Sequence, residues 1–126
     1  MGVRSTDRVT TFPAGINAAT TYEKFPSSVP IIDQWPSFNR KMIRLRGHYI
    51  GMEHRGKGVN IVLGPMMNIG RVPQGGRNWE GFGADPFLAG EAAYETILGI
   101  QRAGVQACAK HLINKWVLYI VSSHMR

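Results

Sequence analysis

Cysteine occurs once in this 126-residue chain, at Cys108, which excludes an internal disulfide and any zinc site built on several cysteines. His48 and His54 are not four apart, so the two-histidine zinc geometry of a helix is missing as well. No metal and no cofactor is expected. Acidic side chains are scarce, 8 Asp and Glu against 15 Lys and Arg, and the formal net charge is +7. Such a balance would suit an anionic partner, but the basic residues are spread along the chain rather than gathered into a stripe, which argues against nucleic acid. No apolar run approaches the roughly 20 residues a membrane helix needs, and the opening MGVRSTDRV lacks the apolar stretch of a secretory signal. The expectation is therefore no nucleic-acid partner, no membrane partner and no signal peptide in this chain.

What is present is ordinary for a folded protein: 44% apolar and 18% charged residues, with 15 glycines and 7 prolines that foretell long loops. The length allows one small domain or part of a larger one. From Arg40 to Arg55, Met42, Leu45, Tyr49 and Met52 recur at steps of three and four, which predicts an amphipathic helix with that face inward and with Arg44, Arg46 and Arg55 pointing elsewhere. The six methionines are expected mostly at such core-like positions, as gap fillers. Val59 to Leu63, bounded by Gly64-Pro65, has the β-branched composition of a buried strand. Met66 to Ala84 is glycine-rich and reads as a long ordered loop.

Asp85-Pro86 offers an N-cap carboxylate and a proline at the first helical position, so a helix is expected from Phe87 to Ala103, ending before Gly104. Val105, Ala107 and Ala109 alternate with Gln106 and Cys108 as a small-residue strand ending in Lys110-His111. Alternating helix and strand favours an α/β fold with a parallel sheet, either doubly wound or part of a (β/α) barrel. Two segments interrupt that order. Residues 25–39, with Pro26, Pro30 and Pro36, read as an insertion, and the tail 115–126 carries the strand-like run Trp116 to Val121 without an obvious partner.

Lys110 and His111 sit where a strand ends, the place where parallel α/β folds bind ligands. An ammonium beside an imidazole can donate hydrogen bonds to hydroxyls or to an anion, and a surface lysine beside a core histidine is the plainer alternative. Arg77, within Gly75-Gly76-Arg77-Asn78-Trp79-Glu80, joins a guanidinium fork to a loop whose glycines allow close approach and to an aromatic face, a combination suited to a sugar or a phosphate. Equally, Arg77 could pair with Glu80 while Trp79 tucks into the core. The glycine order matches neither the dinucleotide fingerprint nor the Walker pattern.

The segments TTFPAGINAAT, RGKGVNIVLGP, GRVPQGGRNWEGFGADPFLAG and ETILGIQRAGVQACAKHLIN, in this order, resemble the N-terminal barrel domain of fungal β-glucosidases of glycoside hydrolase family three. The resemblance covers nearly all of residues 1–114 apart from the insertion; the tail 115–126 departs from the family. It implies an incomplete N-terminal portion of a (β/α) TIM-like barrel. It also implies an enzyme that hydrolyses terminal non-reducing β-D-glucosyl residues of β-glucosides or cello-oligosaccharides with retention, secreted as the parent enzyme.

By motif, Arg77, Lys110 and His111 correspond to sugar-binding residues of the family, Arg4 resembles an arginine lining the same subsite, and Leu63 resembles an apolar wall of it. The family's nucleophile, acid/base and a sugar-binding aspartate match no position here, and no catalytic residue is assigned. The chain is accordingly expected to be inactive alone, with a non-catalytic carbohydrate-binding fragment as the second reading and a small basic nucleic-acid-binding protein as the third. The insertion and the tail together suggest unspliced intron translation or a mistaken gene model, which sequencing the transcript would settle.

Overall fold

The structure is a computed structural model and describes residues 2–20 and 39–111. The tail, residues 21–24 and all of the insertion except Asn39 lie outside the described residues. In chain order the elements are helix α1 (Gly15–Ala19), helix α2 (Arg40–Gly56), strand β1 (Ile61–Val62), helix α3 (Pro86–Arg102) and strand β2 (Gln106–Ala107), with a 3-10 turn at Asn78–Glu80 between β1 and α3.

Both long helices start on side-chain caps. Asn39 accepts from the Met42 N–H at 2.9 Å and Asp85 from the Leu88 N–H at 2.6 Å, with Pro86 opening α3; each cap satisfies an amide that the helix itself leaves without a partner. Gly104, at φ +80°, turns the chain out of α3 towards β2. The two strands pair in parallel, Ile61 against Gln106 and Val62 against Ala107. A bridge between Met66 and Lys110 continues the pairing beyond them. This is a parallel β-α-β unit with α2 packed against its crossover helix, as the alternation of elements implies.

The buried face of α2 is not the one its apolar spacing points to. Met42, Leu45, Tyr49 and Met52 are all exposed, whereas Ile43, Arg46, Gly47, Ile50, Gly51 and His54 are buried. The reason lies in the seam with α3. Thr96 backbone atoms lie where a side chain at Gly47 would project, Ile100 and Ala103 do the same at Gly51, and Gly99 of α3 presses on the Arg44 and His48 backbone. Two helices approach this closely only where one or both lack a Cβ, and that need outweighs the attraction of burying the larger apolar stripe. The methionines follow the same pattern: Met66 is buried, but Met42, Met52 and Met67 are exposed rather than filling the core.

Arg46 is buried rather than turned outward, its guanidinium donating twice to the Pro13 carbonyl, at 2.9 and 2.6 Å. Burial lowers its pKa. Arg44 instead grips the buried Glu95 of α3 through paired bonds of 2.5 and 3.0 Å, a bidentate clasp across the seam that raises the arginine's pKa.

The core lies on one side of the sheet, where Val62 meets Ile50, Ile100 and Val105, with Phe12 and Ala107 at its border. A second cluster joins Ala19, Ile43 and Phe82 to Ala89, Ala92 and Ala93. β1 is therefore half-buried rather than fully buried: Val62 points into the core, while Ile61 and Leu63 are exposed on the other face. That uncovered face forms the floor of the cleft described next.

Candidate functional site

Backbone bonds fix the base of the site. The Lys110 N–H donates to the Pro65 carbonyl and the Lys110 carbonyl accepts from the Met67 N–H, at 2.9 and 2.8 Å, so the end of β2 is tied to the chain leaving β1. The peptides Gly64-Pro65 and Lys110-His111 are both cis. Above this base the glycine-rich loop folds back on itself. The Gly70 N–H donates to the Gly83 carbonyl at 2.9 Å, and the Asn78 side-chain amide donates to the Val72 carbonyl at 2.8 Å.

Arg77 opens the 3-10 turn with φ +69°, a left-handed conformation that costs a non-glycine residue about 1 kcal/mol and persists where surrounding contacts hold it. The holding contact is Glu80, one turn on. Arg77 Nε donates to Glu80 Oε1, and Arg77 Nη2 donates to Oε2 at 2.9 Å. Lys110 reaches the same carboxylate, with Nζ 3.1 Å from Oε2. The pairing of Arg77 with Glu80 is thus real, but Trp79 is exposed and lines the cleft instead of entering the core.

The hydrogen bonds from Arg77, joined by Lys110, outweigh partial desolvation and hold the Glu80 carboxyl down at about 2, against an ordinary 4.5. The same pairing raises the pKa of Arg77. Because the folded-state value is depressed, the stabilisation from this bridge is complete above the ordinary value and is lost as the pH falls from there towards about 2. Near pH 3.5, roughly a unit below the ordinary value, Glu80 is expected to remain ionised, which its side-chain carboxyl carbon shift in an NMR titration reports. Half-protonation at the ordinary value would show that the two cations do not hold it.

His111 is held by Asn68. Asn68 Oδ1 accepts from the His111 backbone N–H at 2.7 Å and stands 3.1 Å from Nδ1, while Asn68 Nδ2 donates to the His111 carbonyl at 3.1 Å. An amide oxygen can only accept, so at this contact the hydrogen lies on His111 Nδ1.

These groups surround a cleft of about 940 Å³, a volume suited to a small ligand or a short oligosaccharide. All five residues singled out in the sequence, Arg4, Leu63, Arg77, Lys110 and His111, line it. Arg4 comes from the N-terminal segment and Leu63 from the end of β1, exposed at the opening. Sequence reasoning missed the two organisers. Glu80 was visible only as a possible partner of Arg77, and Asn68 gave no signal beyond its place just past a strand end. Among the described residues no group of three His, Cys, Asp or Glu side chains could hold a metal ion, and no helix is long and apolar enough to cross a membrane.

The cleft, walled by a loop arginine and a strand-end lysine and histidine, stands at the carboxyl ends of parallel strands, where α/β folds place their ligand sites. Residues 5–116 match the glycosyl hydrolase family 3 N terminal domain, and the chain belongs to that family. It is 44% identical to probable β-glucosidase E of Emericella nidulans, over 99% of this chain and 12% of that relative. To a probable β-glucosidase of Arthroderma benhamiae it is 50% identical, over 85% of this chain and 11% of the relative.

The chain thus spans about an eighth of the length of these relatives. Among crystal structures, the β-D-glucoside glucohydrolase of Trichoderma reesei superposes with a TM-score of 0.74 at 44% identity, over 88% of this chain and 14% of that one. β-Glucosidase 3B of Thermotoga neapolitana, in complex with α-D-glucose, superposes with a TM-score of 0.67 at 36% identity, over 86% and 14%.

Proposed function

We propose that this chain supplies the glucose-facing part of a secreted β-glucosidase, which hydrolyses terminal non-reducing β-D-glucosyl residues of β-glucosides or cello-oligosaccharides with retention. The observation that carries the reading is the convergence of Arg77, Lys110 and His111 on one cleft. A pyranose presents hydroxyls that both donate and accept. Charged donors such as Arg77 and Lys110 make the stronger hydrogen bonds to them, and an imidazole at His111 adds a further polar group to the same wall. Arg4 and Leu63 complete the wall, the latter as an apolar surface for the C–H face of the ring.

In this reading the β-α-β unit is a portion of a (β/α) barrel, and residues 1–114 are its family segment, with 25–39 inserted and 115–126 foreign to it. Ile61, apolar yet exposed on the face of β1 away from the core, fits a strand covered on both sides in a closed barrel. Relatives of the chain are named β-glucosidases, and one structural neighbour holds glucose, which supports the same ligand here.

The test is calorimetric titration of the full chain with glucose. Saturable binding is expected, weakened about tenfold or more in Arg77→Ala and in Lys110→Ala, the effect of losing a charged hydrogen-bond donor. Absence of binding, or binding indifferent to both substitutions, would overturn the hexose reading. Binding without turnover is the outcome expected of a non-catalytic carbohydrate-binding fragment.

A further inference from the structure

We infer that Glu80 is the positioning residue of this cleft and the determinant of its charge selectivity, a role that rests on the hexose reading above and extends it. Among the residues lining the cleft, Arg4, Arg46, Arg77 and Lys110 are cationic and Glu80 alone is a carboxylate. Arg46 is turned to the Pro13 carbonyl, and Arg4 lies on the exposed N-terminal segment. Glu80 is the group that meets two of the cations at once, with Arg77 Nη2 at 2.9 Å and Lys110 Nζ at 3.1 Å from the same oxygen, Oε2.

This arrangement does two separable things. Geometrically, one carboxylate fixes a flexible ammonium against a rigid guanidinium, so the donors left on each face a ligand in a defined spacing rather than sampling several rotamers. The ion pair is three-centred and shielded unevenly, Glu80 keeping 17% of its side-chain surface and Lys110 20%, while Arg77 keeps 40%. Electrostatically, the carboxylate cancels one positive charge beside the ligand and repels a second carboxylate brought to the same place. A neutral sugar is indifferent to that charge, whereas a uronic acid is not. Glu80 therefore biases the cleft towards neutral hexoses and against acidic ones.

The experiment compares D-glucose with D-glucuronate, titrated into the full chain and into the variants Glu80→Gln and Glu80→Asp, with circular dichroism recording that each is folded. Glu80→Gln keeps the shape and removes the charge. Its ratio of glucuronate to glucose affinity is expected to rise about tenfold over the unaltered chain, the effect of one nearby charge under partial screening. Glu80→Asp keeps the charge but shortens the reach, so glucose should bind more weakly while the ratio stays within about twofold of the unaltered chain.

A purely structural contribution would lower both affinities in parallel, and an unchanged ratio in Glu80→Gln overturns the selectivity role while leaving the hexose reading intact. Should Glu80→Gln fail to fold, the ratio in Glu80→Asp and in Glu80→Ala decides in its place: retained in the first and raised in the second supports the role, raised equally in both overturns it. If the unaltered chain binds neither sugar, the hexose reading itself fails, and this inference with it.

Discussion

Gly99→Ala is expected to destabilise the protein by about 3 kcal/mol, the upper end of what inserting one methyl group into a packed seam usually costs. Gly99 lies in the last turn of α3. A Cβ there would collide with the Arg44 carbonyl and come within 2.7 Å of the His48 amide nitrogen and 3.0 Å of the Gly47 carbonyl carbon. All three are backbone atoms of α2, so no side-chain rotation relieves the clash and the helices must separate.

Separation would strain the Arg44–Glu95 clasp and open the contact between Ile50 and Ile100. Alanine's better helix propensity, about 1 kcal/mol over glycine, offsets only part of the loss. Against a total stability of about 5–15 kcal/mol for an ordinary domain, the change is large. Gly90→Ala provides the contrast, since that glycine is also in α3 but meets nothing within 4 Å; it is expected to stabilise by up to about 1 kcal/mol. Urea denaturation monitored by circular dichroism measures both. Equal stability of the two variants would mean that α2 and α3 do not approach as closely as the structure has them.

The same seam explains which parts of the fold were legible in the sequence. α3 announces itself at both ends, because Asp85, Pro86 and Gly104 act through local backbone geometry that needs no partner. The parallel pairing of β1 with β2 follows from the order of elements. α2 was legible in extent but not in orientation. A reading that counts apolar side chains sees Met42, Leu45, Tyr49 and Met52, and gives no weight to Gly47 and Gly51, whose value comes from atoms they lack and from a helix 50 or so residues away in the chain.

The site divides along the same line. Arg77, Lys110 and His111 stand out by residue type at strand ends and in a glycine-rich loop. The pairing of Glu80 with Arg77 is local and legible, but its contact with Lys110 and the hold of Asn68 on His111 exist only because the loop folds back to meet β2, a long-range event that no local pattern encodes. Glu80 in particular was one acid among eight, and what distinguishes it is the pair of cations brought to it from both sides.

No turnover of a chromogenic β-glucoside above the buffer rate is expected from the purified chain. Retaining hydrolysis needs two carboxyl groups about 5–5.5 Å apart, one to attack the anomeric carbon and one to carry a proton to the departing oxygen. The described residues that line the cleft provide a single carboxylate, Glu80. It suits neither task. An acid catalyst requires a carboxyl whose pKa is raised so that it still holds a proton near neutrality, and Glu80 is held down at about 2 by Arg77 and Lys110. As a nucleophile it would attack with an oxygen whose charge is already shared with Arg77 and Lys110, which lowers its basicity.

On the hexose reading the cleft orients a glucosyl unit, while its described residues do not include the carboxyl pair that supplies the acceleration of roughly a million-fold or more typical of enzymes. The measurement is release of nitrophenol from its β-glucoside across a range of protein concentrations. A rate proportional to protein, surviving successive purification steps and abolished in Lys110→Ala, would overturn this expectation and require a catalytic carboxyl pair within this chain.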